Sequence, residues 1–379
     1  MNIKFVSHIA EIPEQQWDQL IDENNVFLHH RFLRALEEHN CVGQATGWLP
    51  RHCVIYEADQ LLAAMPLYEK TNSYGELVFD WAWADAYARS GLLYYPKLVS
   101  AIPYTPATGK RLLYDLTHPQ AEEILQMLLA GIKTLLREIN GSSFHCLFPT
   151  KAQSDVLAAQ GLPSRMAVQF QWQNQNYQTF DDYLNRLSSR KRKKIKRERS
   201  RALESGVCIE QKHGDQMTSA DWQAMHHFYS KTFLEKSGWP TLTQEFLEAI
   251  GEHMPENILV IFAKKNGAYV AGALYFVGES NLYGRHWGCD QNYKDLHFEL
   301  CYYQGIDYAI VKGLKVFEPG AQGEYKISRG FLATKTWSNH LIMNPQFCSL
   351  IERFLIQERE YMEDYYQEML IQSPYKQTG

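Results

Sequence analysis

The feature that most constrains the fold is a pattern that occurs twice in the chain. Residues 54–69 read VIYEADQLLAAMPLYE and residues 260–277 read VIFAKKNGAYVAGALYFV, so the two copies lie about 206 residues apart. Each copy is an apolar strand, a short polar turn and a second apolar strand that begins with small residues, Ala63-Ala64 in the first copy and Ala271-Gly272 in the second. Repetition on this scale predicts two related domains, each with a central β-hairpin.

The rest of the chain predicts an α/β or α+β class, with mixed sheets flanked by helices. Apolar strands alternate with amphipathic helices along all 379 residues, a length that favours more than one core. The break at Gly161-Leu162-Pro163 divides a domain of residues 1–163 from a domain of residues 164–379. We expect the second domain to contain one helix that runs from residue 180 through the basic run 188–204, and a long C-terminal helix. Residues 94–113 are expected to form a long structured loop.

Several classes of protein are excluded by what the sequence lacks. It has no apolar run of about 18 residues, so no membrane-spanning helix is expected. Its N-terminal residues do not resemble a signal peptide, and its seven scattered cysteines contain no CxxC pair, which predicts reduced thiols in a cytoplasmic protein. The histidine doublets lack the spacing of metal ligands, so no metal is expected. A P-loop, a GxGxxG turn and a GxSxG elbow are absent.

The strongest local signal for a site is the stretch FEPGAQGEYKISRGF, residues 317–331, which follows a predicted strand. Its three glycines allow a close approach of the backbone to a ligand, and loops at strand ends often carry function. Glu318 and Glu324 are candidate catalytic bases. The remaining polar residues, predicted to bind substrate, are Gln322, Lys326 and Arg329. The alternative is an irregular turn whose charges are solvated.

A second candidate stretch is FDWAWADAYARSG, residues 79–91. A carboxyl group beside apolar rings can have a raised pKa and act as a base, which makes Asp80 a catalytic candidate. Trp81, Trp83 and Asp85 are predicted to bind substrate, the tryptophans by excluding water. The alternative is a helix start that Asp80 caps.

A third candidate is the strand YGRHWG, residues 283–288. Strand alternation predicts Tyr283, Arg285 and Trp287 on one face and His286 on the other. Arg285 and Trp287 are candidate substrate-binding residues and His286 a candidate catalytic residue. The alternative is that His286 is a satisfied core residue.

The basic run SSRKRKKIKRERSR, residues 188–201, stands out in a chain whose net charge is −5, because it has nine basic residues and one acid. At helical spacing these charges cover every face, so the helix cannot be fully buried. Such charge density favours phosphate-rich partners: tRNA, the diphosphate of a coenzyme or a lipid surface. The run contains no aromatic residue for stacking on bases. The alternative is a solvated face. The candidate phosphate-binding residues are Arg190, Lys191, Arg192, Lys193 and Lys194.

Four stretches together resemble the FemAB-like family of N-acyltransferases: residues 79–91, 94–109, 297–310 and 317–331, the last followed by Thr334, Thr336, Ser338 and His340. That family is described as tandem GNAT-like and similar to peptidoglycan-bridge aminoacyltransferases. The resemblance covers about residues 27–354. It implies a twin acyl-transfer fold, an acyl-CoA or aminoacyl-tRNA donor and a primary amine acceptor that is either a small molecule or lipid-linked. Residues 289–300, where GNAT enzymes usually carry a glycine-rich pyrophosphate loop, contain no glycine, which argues against coenzyme A.

Two functions therefore follow from the sequence. The first is an N-acyltransferase that moves an acyl or aminoacyl group from a thioester or an aminoacyl-tRNA to a primary amine. The alternative is a non-catalytic protein that binds RNA or a phosphorylated ligand on the same fold. A weaker third option is an enzyme of the cell envelope that acts on a lipid-linked amine while residues 188–201 rest on the membrane surface.

Overall fold

A computed structural model describes residues 1–21, 25–321 and 323–376. In the first half of the chain, short strands are interspersed with helices. The elements in chain order are β1 (Asn2–Val6), α1 (Glu14–Asp18), α2 (His30–Glu38), β2 (Trp48–Pro50), β3 (His52–Glu57), β4 (Gln60–Met65), β5 (Tyr68–Lys70), α3 (Trp81–Arg89), β6 (Lys97–Ser100), α4 (Ala121–Glu138), β7 (Ser143–Leu147) and α5 (Lys151–Ala159).

The second half has longer strands, and its last helix is the longest of those described. Its elements are β8 (Ser164–Gln173), α6 (Phe180–Arg186), α7 (Ser189–Glu204), β9 (Cys208–His213), α8 (Ser219–Glu235), α9 (Gln244–His253), β10 (Ile258–Lys265), β11 (Ala268–Val277), β12 (Asn281–Cys289), α10 (Leu296–Phe298), α11 (Gln304–Val311), β13 (Val316–Glu318), β14 (Leu332–Ile342) and α12 (Pro345–Ile371). A π-helical turn, Glu299–Tyr303, joins α10 to α11, and a 3₁₀ helix, Glu324–Arg329, follows β13.

The chain forms two compact units, and each unit is made of two stretches of chain. The first unit contains Met1–Val168 and Lys335–Asp364, and the second contains Gln169–Thr334 and Tyr365–Gly379. The sequence-based domains, residues 1–163 and 164–379, were drawn as contiguous segments. The mixed α/β class predicted from the sequence is confirmed.

The repeated pattern is two β-hairpins that share an irregularity. The pairs β3–β4 and β10–β11 are both antiparallel, and each contains a β-bulge on its second strand. The extra residue is Leu62 in the first hairpin and Val270 in the second, immediately before the matched small residues Ala63 and Ala271. A bulge at the same place in both copies supports duplication more strongly than two ordinary hairpins would, because bulges are specific features of a fold.

The order of elements around the hairpins is also the same in the two units. Each unit contains a strand that pairs antiparallel with the hairpin, β1 or β9, and that is followed by two α-helices. Each unit also has two parallel strands joined through a helix, β6 and β7 in the first unit and β12 and β13 in the second. The second strand of each pair is bordered on its other side by an antiparallel strand, β7 by β14 and β13 by β8. In the first unit Pro66 and Leu67 divide the strand that corresponds to β11 into β4 and β5.

Two predictions about elements are wrong. The helix predicted from residue 180 to the end of the basic run is two helices, because Leu187 is extended and forms a bridge with Tyr375. The stretch 94–113, predicted as a loop, contains β6, which pairs with β5 and β7. Among the described residues, the helices are either too short or too polar to cross a lipid bilayer.

Candidate active site

The parallel strands of the second unit separate after three paired residues. Asn281, Leu282 and Tyr283 of β12 pair with the three residues of β13, which ends at Glu318. Strand β12 continues to Cys289, and among the described residues it has no further strand partner on that side. Pro319 and Gly320 then carry the chain past Gly284. A side chain at position 320 would place its Cβ 3.7 Å from the Gly284 carbonyl oxygen. The strands thus separate beside a glycine-bearing loop.

A β-bulge sits at the point where these strands separate. In the pairing of β11 with β12, Leu274 is opposite His286 and Tyr275 is opposite Gly284, which leaves Arg285 as the extra residue. A bulge re-aims the side chain of its extra residue and is frequent next to active sites. The guanidinium of Arg285 donates a hydrogen bond from Nη1 to the Gly284 carbonyl oxygen at 3.0 Å.

This bulge corrects the predicted faces of β12. Tyr283, Arg285 and Trp287 were expected on one face, with His286 on the other. Because the bulge inserts one residue, the alternation shifts by one after Arg285. Tyr283 and His286 therefore share a face, and Trp287 lies on the opposite one.

Two basic side chains, Arg285 and Lys326, and the carboxyl group of Glu318 meet at this opening. Arg285 contacts the main chain of β13, with Nη1 at 3.4 Å from the Glu318 carbonyl oxygen. Its Nε and Nη2 atoms are shielded from solvent, and Glu318 is buried at the strand end. Burial lowers the pKa of Arg285 to about 10, although Glu318 and Tyr283 oppose the shift.

Lys326 supplies the second basic group, from the 3₁₀ helix that follows the glycines. Its ammonium group donates hydrogen bonds to the carbonyl oxygens of Gly320 at 2.8 Å and Pro319 at 3.3 Å. The residue is 2% exposed. Burial lowers the pKa of Lys326 to about 7, and the positive charge of Arg285 adds to the effect. A large fraction of Lys326 is therefore an uncharged amine at neutral pH.

Aromatic side chains line the same region. The His297 ring lies 5.2 Å from Trp287 and 5.4 Å from Tyr302, and Tyr302 donates a hydrogen bond to the Tyr325 hydroxyl at 3.1 Å. Burial lowers the pKa of His297 to about 4, so this histidine is neutral. Tyr302 is part of the π-helical turn, a local feature often found at functional sites. Tyr302 and Tyr325 lie in the stretches 297–310 and 317–331 that the sequence analysis singled out, but neither was among the predicted site residues.

The N-terminal half of α7 forms a basic cleft of about 600 Å³. Its lining residues are Arg190, Lys191, Lys193, Lys194 and Arg197. Within the described parts of the chain no carboxylate forms an ion pair with Arg190, Lys191, Lys193 or Arg197. Four of the five predicted phosphate-binding residues line this cleft. The fifth, Arg192, instead donates a hydrogen bond to Asn185 at 3.3 Å.

The FemAB-like family model, described as peptidoglycan biosynthesis or recognition, matches residues 8–377. The chain belongs to the FemAB-like family. This membership confirms the N-acyltransferase class predicted from the sequence, and it leaves the donor and the acceptor open. No curated protein matches the chain significantly.

Solved structures similar to this FemAB-like chain show the same fold at low sequence identity. The crystal structure of FemX is 12% identical with a TM-score of 0.56, and the match covers 93% of this chain and 100% of FemX. The C-terminal domain of a putative lysylphosphatidylglycerol synthetase from Agrobacterium fabrum is 9% identical with a TM-score of 0.52, covering 93% of this chain and 97% of that domain. A conserved Bacteroides thetaiotaomicron protein of unknown function is 11% identical with a TM-score of 0.50, covering 90% and 100%.

Asp80 lies in the first unit and does not have the raised pKa expected from its aromatic neighbours. Burial alone would raise the pKa of Asp80, but the Lys97 ammonium and hydrogen bonds from Lys97, Tyr94 and Ser73 outweigh it and lower the pKa. Because its carboxylate is bound by these partners, Asp80 makes no side-chain capping hydrogen bond to α3. Asp80 is therefore an ionised, fully engaged carboxylate.

The other candidates of residues 79–91 differ in exposure. Trp83 is buried and packs edge-on against His340 at 4.8 Å, whereas Trp81 is 65% exposed. Asp85 is exposed and forms an ion pair with Arg89 at 2.5 Å. Only Trp83 among these contributes to the core of the first unit.

The remaining candidates of the second unit make contacts of their own. Glu324 is exposed and accepts a hydrogen bond from Tyr365 at 2.8 Å. His286 packs against Tyr229 at 4.7 Å, and burial lowers its pKa to about 3, so it is neutral. Gln322 lies outside the described residues. The catalytic roles of Glu324, Asp80 and His286 stay predictions.

The first unit has no comparable opening, because its own chain fills the equivalent place. Beyond β7, Gly109 donates a main-chain hydrogen bond to Phe148 at 3.1 Å and forms a parallel bridge with Pro149. The Arg111 guanidinium donates to the carbonyl oxygens of Leu147 and Ala107 at 2.9 and 2.7 Å. The described separation of the parallel strands therefore belongs to the second unit.

Proposed function

We propose that this FemAB-like chain transfers an aminoacyl group from an aminoacyl-tRNA to a primary amine, with Lys326 as the general base. The observation that carries the proposal is the buried Lys326 amine at the strand opening, with a pKa lowered to about 7. A general base works best when its pKa is near the working pH, and burial is one way to tune lysine for that task.

The geometry of Lys326 suits proton transfer. A neutral lysine amine has two N–H groups and one lone pair, and the carbonyl oxygens of Gly320 and Pro319 can accept both N–H groups. The lone pair is then free to accept the proton of an attacking amine. Arg285 would stabilise the oxyanion, and Glu318 would accept a hydrogen bond from the neutral acceptor amine and so orient it.

The reaction written through these residues is balanced. The acceptor attacks as its neutral amine: its nitrogen forms a C–N bond to the ester carbonyl carbon, and one proton of that nitrogen passes to Lys326. The tetrahedral intermediate then collapses, and the C–O bond to the tRNA ribose breaks. Lys326 returns its proton to the departing oxygen, so the amine is regenerated. The aromatic side chains around His297 would limit competing hydrolysis by excluding water.

The basic cleft supports a polyanionic donor. Arg190, Lys191, Lys193 and Arg197 make no ion pair with a carboxylate in the described parts of the chain, so these cations of the cleft offer contacts to several phosphates, as a tRNA backbone would require. The segment after β12 lacks glycines that would wrap a diphosphate, so coenzyme A is the less favoured donor. The acceptor is a primary amine on a small molecule or on a lipid-linked precursor, the latter in keeping with a family described by peptidoglycan biosynthesis or recognition.

Neutralising the cleft is expected to weaken donor binding without stopping chemistry. In the double variant Lys193→Gln/Arg197→Gln, we expect the donor KM to rise about 10-fold or more with kcat nearly unchanged, because two phosphate contacts are lost. A plot of log Kd against log salt concentration should become shallower by about two. The matched control is Lys312→Gln/Lys315→Gln, which removes the same charge from exposed sites.

The same assays separate the proposal from its alternatives. Turnover with acyl-CoA but not with aminoacyl-tRNA would contradict the donor assignment. Salt-dependent RNA binding without turnover of any amine would favour the non-catalytic RNA-binding protein. Supplying the acceptor amine free in solution or on lipid vesicles distinguishes the two acceptor classes.

A further inference from the structure

Glu198, the single acid of the basic run, is a buried charged residue of α7. Glu198 is 5% exposed, whereas the cations of the cleft lie on the open side of α7. Its two carboxylate oxygens accept hydrogen bonds from Arg329 Nη2 at 2.9 and 3.0 Å. The hydroxyl of Tyr303 donates a third hydrogen bond to the same carboxylate.

Arg329 is held as firmly as its partner. It is 2% exposed, and its guanidinium stacks 3.4 Å above the Phe298 ring. It donates from Nε to the Tyr303 hydroxyl at 3.0 Å and from Nη1 to the Tyr325 carbonyl oxygen at 2.9 Å. Each donor group of Arg329 therefore fixes it to α7, to the helix around Tyr303 or to its own 3₁₀ helix.

That 3₁₀ helix, Glu324–Arg329, is also the one that carries Lys326. Arg329 lies one turn after Lys326, and Glu198 lies one turn after the cleft residue Lys194, with 3.7 Å between the Lys194 ammonium and the Glu198 carboxylate. A continuous set of charged contacts thus runs from the basic cleft to the helix of the proposed base.

We propose that Glu198 is a positioning residue, which fixes Lys326 through Arg329 and links occupation of the basic cleft to the placement of the base. The proposal rests on the function proposed above. A donor phosphate that binds Lys194 leaves the Glu198 carboxylate wholly to Arg329, which tightens the hold on the 3₁₀ helix. The basic cleft on α7 and the Lys326 amine on the 3₁₀ helix therefore act together, although they belong to different elements.

The variant Glu198→Gln tests this role. It leaves Arg329 as a buried cation without its anion, so the 3₁₀ helix is expected to shift. Displacement of a catalytic group by about 1 Å can cost about 10²-fold, so we expect kcat to fall about 10- to 100-fold. The donor KM should stay within about threefold, since all cleft cations remain. Glu204→Gln, an exposed change in the same helix, is the control.

A readout that a purely structural defect would not produce is the pH profile. When Lys326 is less well buried, its pKa rises towards the ordinary lysine value, so the inflection of kcat/KM near pH 7 should move to higher pH. An inflection and kcat that both match those of Glu204→Gln would overturn the proposal, as would a change confined to donor KM.

A double-mutant cycle protects the test against a folding defect. If Glu198 acts through Arg329, Glu198→Gln/Arg329→Gln should have a kcat no lower than the worse single variant, whereas independent roles would multiply. Tyr303→Phe, which removes one bond to Glu198, should give a smaller fall in kcat with a native circular dichroism spectrum. Loss of activity in a Lys326 variant with full activity in Glu198→Gln refutes this inference alone. Full activity in a Lys326 variant refutes the proposed function.

Discussion

Lys326→Met is expected to lower kcat/KM by about 10²- to 10⁴-fold, the range by which a positioned general base accelerates proton transfer. Methionine retains the length and most of the apolar volume of lysine but has no lone pair of comparable basicity. Steady-state transfer to a primary amine acceptor measures the effect. Lys312→Met, which alters an exposed lysine, should behave as the wild type.

The pH dependence follows from the same pKa. Only the neutral amine of Lys326 can accept a proton, so kcat/KM should rise with pH and level off above its pKa of about 7. In Lys326→Met this inflection should be absent. Profiles between about pH 5.5 and 9 contain the whole transition.

Lys326→Arg distinguishes a base from a fixed positive charge. Arginine stays protonated at all accessible pH values, so this variant should be as inactive as Lys326→Met. Recovery of activity with arginine would mean that the site needs a cation rather than a base. Glu318→Gln and Glu324→Gln would then identify which carboxylate takes the proton.

The fold was accessible from the sequence where local patterns determine it. The hairpins at residues 54–69 and 260–277 each have two apolar strands, a polar turn and small residues near the start of the second strand. The structure adds a β-bulge beside those small residues in both hairpins. The motifs shared with the FemAB-like family extended the predicted twin fold to about residues 27–354. The long C-terminal helix was equally clear, because its apolar periodicity continues over many turns.

The chemistry of the site was less accessible, because it depends on contacts between distant residues. Lys326 was identified as a polar residue among glycines, but its lowered pKa depends on burial, which no local pattern reveals. The ion pair of Glu198 and Arg329 spans 131 positions. The bulge at Arg285 adds one residue to a strand that otherwise alternates regularly, and so it reversed the predicted faces.

A different large effect is expected on stability, from a buried charge cluster in the first unit. Lys97 is fully buried, and its ammonium binds both the Glu76 carboxylate, at 2.8 Å, and the Asp80 carboxylate. Burial raises the pKa of Glu76 to about 7, although Lys97 opposes the shift. The loop that carries these two carboxylates is therefore fastened to β6 by one lysine.

Lys97→Met should lower the free energy of unfolding by about 3–5 kcal/mol at pH 8, because two buried carboxylates lose their cation. The loss should shrink as the pH falls towards 5, since protonation of Glu76 and then Asp80 removes the uncompensated charge. Urea denaturation at both pH values measures it. Lys151→Met, which breaks an exposed ion pair with Asp155, should cost less than about 1 kcal/mol.

The triple variant Lys97→Met/Glu76→Gln/Asp80→Asn identifies the cause of that loss. If uncompensated charge is responsible, neutralising both carboxylates should recover most of the stability, and the pH dependence that remains between pH 5 and pH 8 should be that of the neighbouring Lys70, whose pKa burial lowers to about 7. If lost packing of the lysine stem were responsible, the triple variant would be no more stable than Lys97→Met, and the loss would be the same at both pH values.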